Sequence, residues 1–510
     1  MFAASVEAFA ALAKLLTHTV SNRDSPIGVL VRPASSPLAT WLARLAWAMF
    51  GFIVIETIVY TPLFSWRLLT GRNGLDAWLL SLSGVAAIAG LLWLGRLRVG
   101  RILERGAIAV TKPSLRSWIL ASVAVGALLR LTWAWVYPAS PASDDVIYVE
   151  LAQQLARGEP YAMAGTRAYW PPGYPLLLSV LLPLTGSVRT LALLLNLGMF
   201  VALTVITAAL AQRVAGDAPT RVAIVLLAIW PGYVAAAGLP GKELVSMVLL
   251  AAIVLLYLRG ATDDLGSGSI LLAGLLLGFA CLVQPSLLLF PAVLLAIDLL
   301  MSRESTRSLI RLVIVVVATM IAITPWTYRN YQVFGAFVPI STNGGGNFYR
   351  ANNPLATGAY TDRGEVDLSG LDELEANRRG FDLGRKWITE HPMSFLRLSV
   401  EKQILFLGDD AQGIYATLRR GGLDVPLQVY ATAKAYANAF WIAVWVLIGI
   451  ATVRHLREGL LPPTSAVILF PFLYLYLLHS VFESNSKYHI PALPFIAIAA
   501  GMAFSPRTRS

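Results

Sequence analysis

Residues 143–174 read SDDVIYVELAQQLARGEPYAMAGTRAYWPPGY, a polar stretch set between long apolar segments. Paired acids stand at its start, and the stiff run Trp170-Pro171-Pro172-Gly173-Tyr174 closes it. Outward from there, the chain is built of apolar runs about twenty residues long, the length of one helical crossing of a bilayer. Of 510 residues, 57% are apolar and 14% charged, against about 25% charged in ordinary soluble domains. The pattern defines an all-α, polytopic membrane bundle. Its backbone polar groups must be satisfied within helices, because lipid offers them no partner.

The net charge of +11 does not point to nucleic acid. The Lys and Arg residues fall in short clusters between apolar runs, the pattern by which positive loops orient a membrane chain. The clusters are 96–116, Arg213 with Arg221, Arg259, 303–311, Arg454 with Arg457, and Arg507 with Arg509. Placing them in the cytoplasm sets spans at 42–62, 77–94, 118–137, 188–212, 222–238, 243–258, 309–325, 434–453, 464–482 and 488–504. The run 269–301 supplies two more, divided at Gln284-Pro285 because proline lacks a donor and clashes with the preceding turn. The expectation is about twelve crossings with both termini inside. Piece 175–184 is too short to span.

This order divides the chain into 1–117 with two leading spans, a core at 118–325, a large loop at 326–433, and closing helices at 434–510. Polar regions 138–173, 326–433 and 483–487 then share the extracytoplasmic face. Within the large loop, LDELEANRRGFDLGRKWITE (371–390) predicts a polar-faced helix stopped at His391-Pro392. Residues 394–407 suit a helix lying at the interface. The loop is therefore expected to form a small helical cover and not a separate soluble domain. Residues 2–20 suit a short amphipathic helix, and 1–40 lack the pattern of a cleavable signal. The lone Cys281 gives no disulfide framework.

Ser143 followed by Asp144, Asp145 and an apolar stripe marks a helix start. Its structural reading is a serine cap with acids at the positive helix end. Its functional reading is a carboxylate just outside the membrane that takes a proton from an acceptor or helps hold a metal ion. Glu243, beside Lys242, also opens a helix, and a terminal helix charge is the plainer reading there. Arg329, where a span leaves the membrane, suits either a phosphate oxygen or snorkelling to the interface. Asn343-Gly344-Gly345-Gly346-Asn347 resembles a backbone anion nest, but lacks the strand–helix setting and the Lys-Ser/Thr of a P-loop, which excludes nucleotide triphosphate hydrolysis. Glu483, Lys487, Tyr488 and His489 crowd the last outer turn. Glu56, inside the first span, is read as an interhelix hydrogen-bonder.

At these residues the chain resembles a known family. The acid pair with Tyr148, then Pro171-Pro172-Gly173-Tyr174, is similar to the first extracytoplasmic loop of GT-C glycosyltransferases, in the branch of protein O-mannosyltransferases and lipid A aminoarabinose transferases. PWTYRNYQVFGAFVPISTNGGGNFYRANNPLATGAY (325–360) and KYHIPALPFIAIAAG (487–501) resemble segments of the bacterial members. The resemblance implies a GT-C-like bundle that transfers a sugar, with inversion, from a polyprenyl-phosphate donor to an extracytoplasmic glycan, lipid or protein. It maps Asp144 onto the catalytic base, with Asp145 second. Arg329, Lys487 and Tyr488 fall near the donor phosphate, and Tyr148, Trp170, Pro171, Pro172, Tyr174, Asn343, Asn352 and Asn353 in the substrate loops. No cofactor is implied with certainty, and a divalent metal ion on Asp145 and Glu243 stays open. The expected location is the bacterial inner membrane, with the active site on its outer face.

A glycan polymerase is the nearest enzymatic alternative, since it would share the large outer loop. A transporter or flippase of lipid-linked sugars should instead show paired broken helices with polar groups at mid-membrane depth. A purely structural protein would need no acids and cations gathered on one side.

Overall fold

The computed structural model describes residues 37–70, 78–79, 82–84, 86, 90, 96–262, 266–301, 305–361, 368, 370–458 and 463–505. The expected helix at 2–20 and most of the span at 77–94 lie outside them. Among the described residues the protein is helical, with one isolated bridge between Met163 and Thr166 and no strand. The chain runs through α1 (Pro37–Thr70), α2 (Arg96–Thr111) and α3 (Leu115–Val136) to a short acid-headed helix, α4 (Asp144–Ala156). Then come α5 (Gly173–Thr185), α6 (Val188–Val214), α7 (Asp217–Ile229) and the short α8 (Pro231–Ala235). The middle of the bundle is α9 (Lys242–Thr262), α10 (Gly266–Val283), α11 (Pro291–Met301) and α12 (Ser305–Phe334). The large loop carries α13 (Gly344–Ala351), α14 (Glu373–Glu390), α15 (Pro392–Leu407) and α16 (Gln412–Tyr415). The chain closes with α17 (Leu427–Glu458), α18 (Phe470–Val481) and α19 (Leu493–Gly501).

Eight helices are long and apolar enough to cross a bilayer among the described residues, or nine if α7 and the bent turn after it make one span. Two of the remaining expected crossings, the second half of 269–301 and 464–482, are shorter apolar helices, at Pro285–Met301 and Phe470–Val481. Proline explains the shortness of the first: α10 ends at Val283 and the chain passes through a tight 3-10 turn, Pro285–Leu289, before α11 starts.

Helix contacts follow membrane packing rules. On α10, Gly274 and Gly278 sit one turn apart against α12, where a Cβ would lie 2.6 Å from that of Ala318 and 2.5 Å from that of Ala322. Only hydrogen fits there, so the two backbones touch. Asp298 on α11 accepts from Tyr257 on α9 at 2.6 Å and from Arg311 on α12 through both oxygens at 3.0 Å, joining three helices. Glu56 accepts from Tyr476 at 2.7 Å, the interhelix bond expected of it.

The bend after α7 positions the site. Pro231 cannot donate to the carbonyl of Leu227, four residues back. Arg130 of α3 replaces the lost donors: its guanidinium reaches Ala228 O at 3.0 Å and Leu227 O at 3.2 Å, and lies against the Phe200 and Tyr233 rings. The freed chain, 236–241, is thereby available to form a wall.

In the large loop, α14 starts where Asp372 accepts from the amides of Leu374 and Glu375, and it stops at His391 before Pro392. Lys402 of α15 is buried, donating to Asn352 Oδ1 at 2.9 Å and Val481 O at 2.8 Å. Desolvation pushes its ammonium down to about 7.

Candidate active site

An open cleft lies where several helices end. Asp144 and Asp145 enter it from the first turn of α4, Lys242 and Glu243 from the first turn of α9, Arg420 from the π-type turn after α16, and Lys487 from the turn before α19. Its remaining walls combine small residues such as Ala236, Gly241, Gly413 and Ala416 with the apolar side chains of Leu239, Leu244 and Ile490. Residues from the three polar segments 138–173, 326–433 and 483–487 thus meet in one place, together with the 240–243 turn.

The acids are held differently. Arg420 donates to Asp145 Oδ2 at 3.0 Å, and the Asp145 side chain is largely buried. Burial pushes the Asp145 carboxyl up to about 7; Arg420 and Lys487 pull the other way, while Glu243 and Asp144 add to the rise. Asp144 is more open, its side chain 38% exposed, with Lys487 Nζ 3.9 Å from Oδ2. Lys242 donates to the Tyr148 hydroxyl at 2.9 Å. Tyr148 is buried and packs edge-on against Trp170 and Tyr174, and burial raises its phenol well above the usual value. Tyr174 in turn accepts from the Gly241 amide at 2.8 Å. The Trp-Pro-Pro-Gly-Tyr run therefore fixes the acid helix and the lysine turn to each other.

One expected local contact is missing. Ser143 does not cap α4: its side chain accepts no cap hydrogen bond, and its backbone sits at φ 57. A non-glycine residue in that region is strained, and here the strain falls on the residue before the acid pair.

Other expected residues lie apart from the cleft. Arg329 spends its guanidinium on the carbonyls of Tyr161 (3.0 Å) and Arg167 (2.8 Å), so it fastens the 161–167 loop. Glu373 completes that shoulder by accepting from the amides of Arg167 and Ala168 and from Thr342. The glycine-rich stretch is no open nest: it is helix α13, laid on α14 so closely that a Cβ on Gly345 would sit 1.8 Å from Asn377 O. Asn343 accepts from Ser341, Asn352 bonds Lys402 and two carbonyls, and Asn353 bonds the carbonyls of Tyr349 and Arg350. Tyr488 donates to Glu483 and stacks on His479 at 4.0 Å beside the cleft.

Two features escaped the sequence. Arg420 was one; its signal was the Arg419-Arg420 pair inside a loop assigned to the side where basic residues are scarce. The other is a buried network beneath the cleft: Asp410 accepts from Trp230 at 2.6 Å and pairs with His489 Nε2 at 3.0 Å, while Trp441 stacks on that imidazole. As to a metal, Asp144, Asp145 and Glu243 share the cleft, yet among the described residues no three His, Cys, Asp or Glu groups converge to hold one. Asp145 is moreover already bound to Arg420.

No family model and no curated protein matches the chain. Solved structures do. The apo oligosaccharyltransferase of Archaeoglobus fulgidus is similar at 13% identity and a TM-score of 0.47, over 76% of this chain and 50% of that one. AglB of the same organism, in complex with an inhibitory peptide and a dolichol-phosphate, is similar at 11% identity and a TM-score of 0.42 over the same shares. ArnT from Cupriavidus metallidurans, bound to undecaprenyl phosphate, is similar at 15% identity and a TM-score of 0.39, over 76% of this chain and 78% of that one. The chain thus spans about half the length of the oligosaccharyltransferases it matches.

Proposed function

We propose that this polytopic membrane protein is a glycosyltransferase that moves a sugar from a polyprenyl-phosphate donor to an extracytoplasmic acceptor, a glycan, lipid or protein of the cell envelope. The observation that carries the reading is the opposition of Asp144 and Asp145 to cations across one open cleft at the ends of membrane helices. A prenyl chain can stay among the helices while its phosphate reaches such a boundary cleft. The sequence resemblance to GT-C enzymes supports the same reading.

The chemistry is a single displacement. Asp144, the more open carboxylate, accepts the proton of the acceptor hydroxyl as its oxygen bonds to the anomeric carbon. The bond from that carbon to the phosphate oxygen breaks on the opposite face, which inverts the configuration. The departing phosphate gains negative charge, which a nearby cation such as Lys487 stabilises. Asp145, clamped by Arg420, holds the helix end in place and keeps a second carboxyl beside the base. Every step uses groups of the protein itself.

The test is transfer of labelled sugar from a polyprenyl-phosphate donor by the purified protein in lipid nanodiscs. Asp144→Asn should keep its thermal melt and lose about 10²- to 10⁴-fold in turnover, the usual worth of a general base. Undiminished transfer by that variant would remove Asp144 from the role. A transporter or flippase would instead move donor between leaflets with no new glycosidic bond, which the same vesicles can report.

A further inference from the structure

Resting on that reading, we infer that Asp410 and His489 form a buried clasp that sets the spacing of two of the cleft's cations, and so act as a positioning pair for transfer. Asp410 opens the stretch that leads to Arg420, and His489 follows Lys487 on one 3-10 turn, Ser486–Ala492. Arg420 bonds Asp145 at 3.0 Å, and Lys487 Nζ stands 3.9 Å from Asp144 Oδ2. The contact of Asp410 Oδ1 with His489 Nε2, at 3.0 Å, therefore ties together the two chain segments that meet the acid pair.

Both sides of the clasp are stiff. The Asp410 amide donates to Asn438 Oδ1 at 3.1 Å, and Thr417 donates to Ala235 O at 2.8 Å. Between them Gly413 lies so close to the bend after α7 that a Cβ there would overlap Gly232 O. On the other side the Lys487 amide donates to Asn485 Oδ1 at 2.9 Å. With so little slack, a displacement at the clasp is carried to Arg420 and Lys487.

The hydrogen bonds also fix what the pair can do. His489 Nδ1 lies 2.6 Å from Phe406 O. A carbonyl oxygen has no proton to give, so Nδ1 carries one. Trp230 donates to Asp410 Oδ2 at 2.6 Å, which leaves Oδ1 to face Nε2. One proton lies between those two atoms, whether counted as imidazolium with carboxylate or as imidazole with carboxylic acid. In either form the pair is neutral, which spares the interior an unpaired charge. Both ring nitrogens and both carboxyl oxygens are engaged, and both side chains are buried. Nothing is left to take a proton from an acceptor. The pair acts through the groups it holds, which separates it from Asp144.

The experiment compares Asp410→Asn, Asp410→Leu and His489→Phe in full-length protein in nanodiscs, reading transfer kinetics, thermal melting and hydrogen–deuterium exchange. An asparagine amide can donate to Nε2 while its oxygen accepts from Trp230, so Asp410→Asn keeps the clasp and should transfer like wild type. Asp410→Leu and His489→Phe break it. In both, exchange should rise within 411–420 and 484–488 ahead of the rest of the bundle. Their kcat should fall about 10²-fold, the cost of displacing a group by about 1 Å, with KM changed less. Full turnover in either folded broken variant would overturn the inference. So would equal losses in Asp410→Asn and Asp410→Leu, which would assign the effect to the carboxylate's charge. Failure of both broken variants to fold would overturn it too, by making the pair a requirement of the whole bundle. Wild type that transferred no sugar would end the glycosyltransferase reading instead, and exchange alone would still decide whether a clasp holds these segments.

Discussion

The cleft and the shoulder beside it make an instructive pair. Both are built from charged residues near the ends of membrane helices, and sequence reading placed Arg329 of the shoulder with Asp144 of the cleft. In the shoulder the two charges are spent mainly on backbone: Arg329 on two loop carbonyls, with Asn330 beside them, and Glu373 on two amides and the Thr342 hydroxyl. In the cleft the charges meet one another, Arg420 on Asp145 and Lys487 near Asp144, and Lys242 rests on a phenol. Position on a face does not make a site residue; what remains unspent after the local hydrogen bonds are counted does.

Substitutions can break that contrast. The widest separation should come from pairing Asp144→Asn with Arg329→Met. The first should abolish most transfer and leave the melt alone. The second should release the 161–167 loop, costing about 2 kcal/mol of stability after allowance for its partial exposure, with turnover per folded molecule preserved. Loss of turnover in fully folded Arg329→Met would erase the distinction. A smaller effect tests the shoulder's packing: Gly345→Ala forces a methyl onto Asn377 O and should cost about 1–3 kcal/mol as overpacking, read as a lowered melting temperature with no change in prenyl-phosphate affinity.

The smallest effect is one of pH. Burial keeps Asp145 protonated in the folded chain up to about pH 7, whereas an unfolded aspartate releases its proton near about 3.9. The folded state binds the extra proton between those values, so the group's contribution is full below about pH 4 and is lost as pH climbs through about 7. Wild type should therefore lose melting temperature more steeply than Asp145→Asn between about pH 5 and 8. Parallel slopes would mean that Arg420 already holds Asp145 ionised.

Local signals in the sequence were strong where one short segment decides the outcome. The break at Gln284-Pro285, the stop at His391-Pro392 and the acid-headed helix after Ser143 depend on neighbours in the chain, and each was legible. The Ser143 cap failed because the chain enters α4 from a strained backbone angle that no residue pattern announces. Asn343-Gly344-Gly345-Gly346-Asn347 looked like a nest because glycine runs serve loops and tight helix contacts alike, and only the position of α14 decides between them. Arg420 and Asp410 depend on partners 275 and 79 residues away, a pairing that one sequence cannot display.

Arg130 carries a last consequence. It lies on α3, away from the cleft, yet it fills the Leu227 carbonyl that Pro231 leaves bare and the Ala228 carbonyl beside it, while Trp230 at the same bend is moored to Asp410. The wall from 236 to 241 is therefore anchored at its root before any ligand arrives. A cleft preorganised in this way spends little of its binding energy on closing, and discrimination among substrates falls to the fit of their charge and shape.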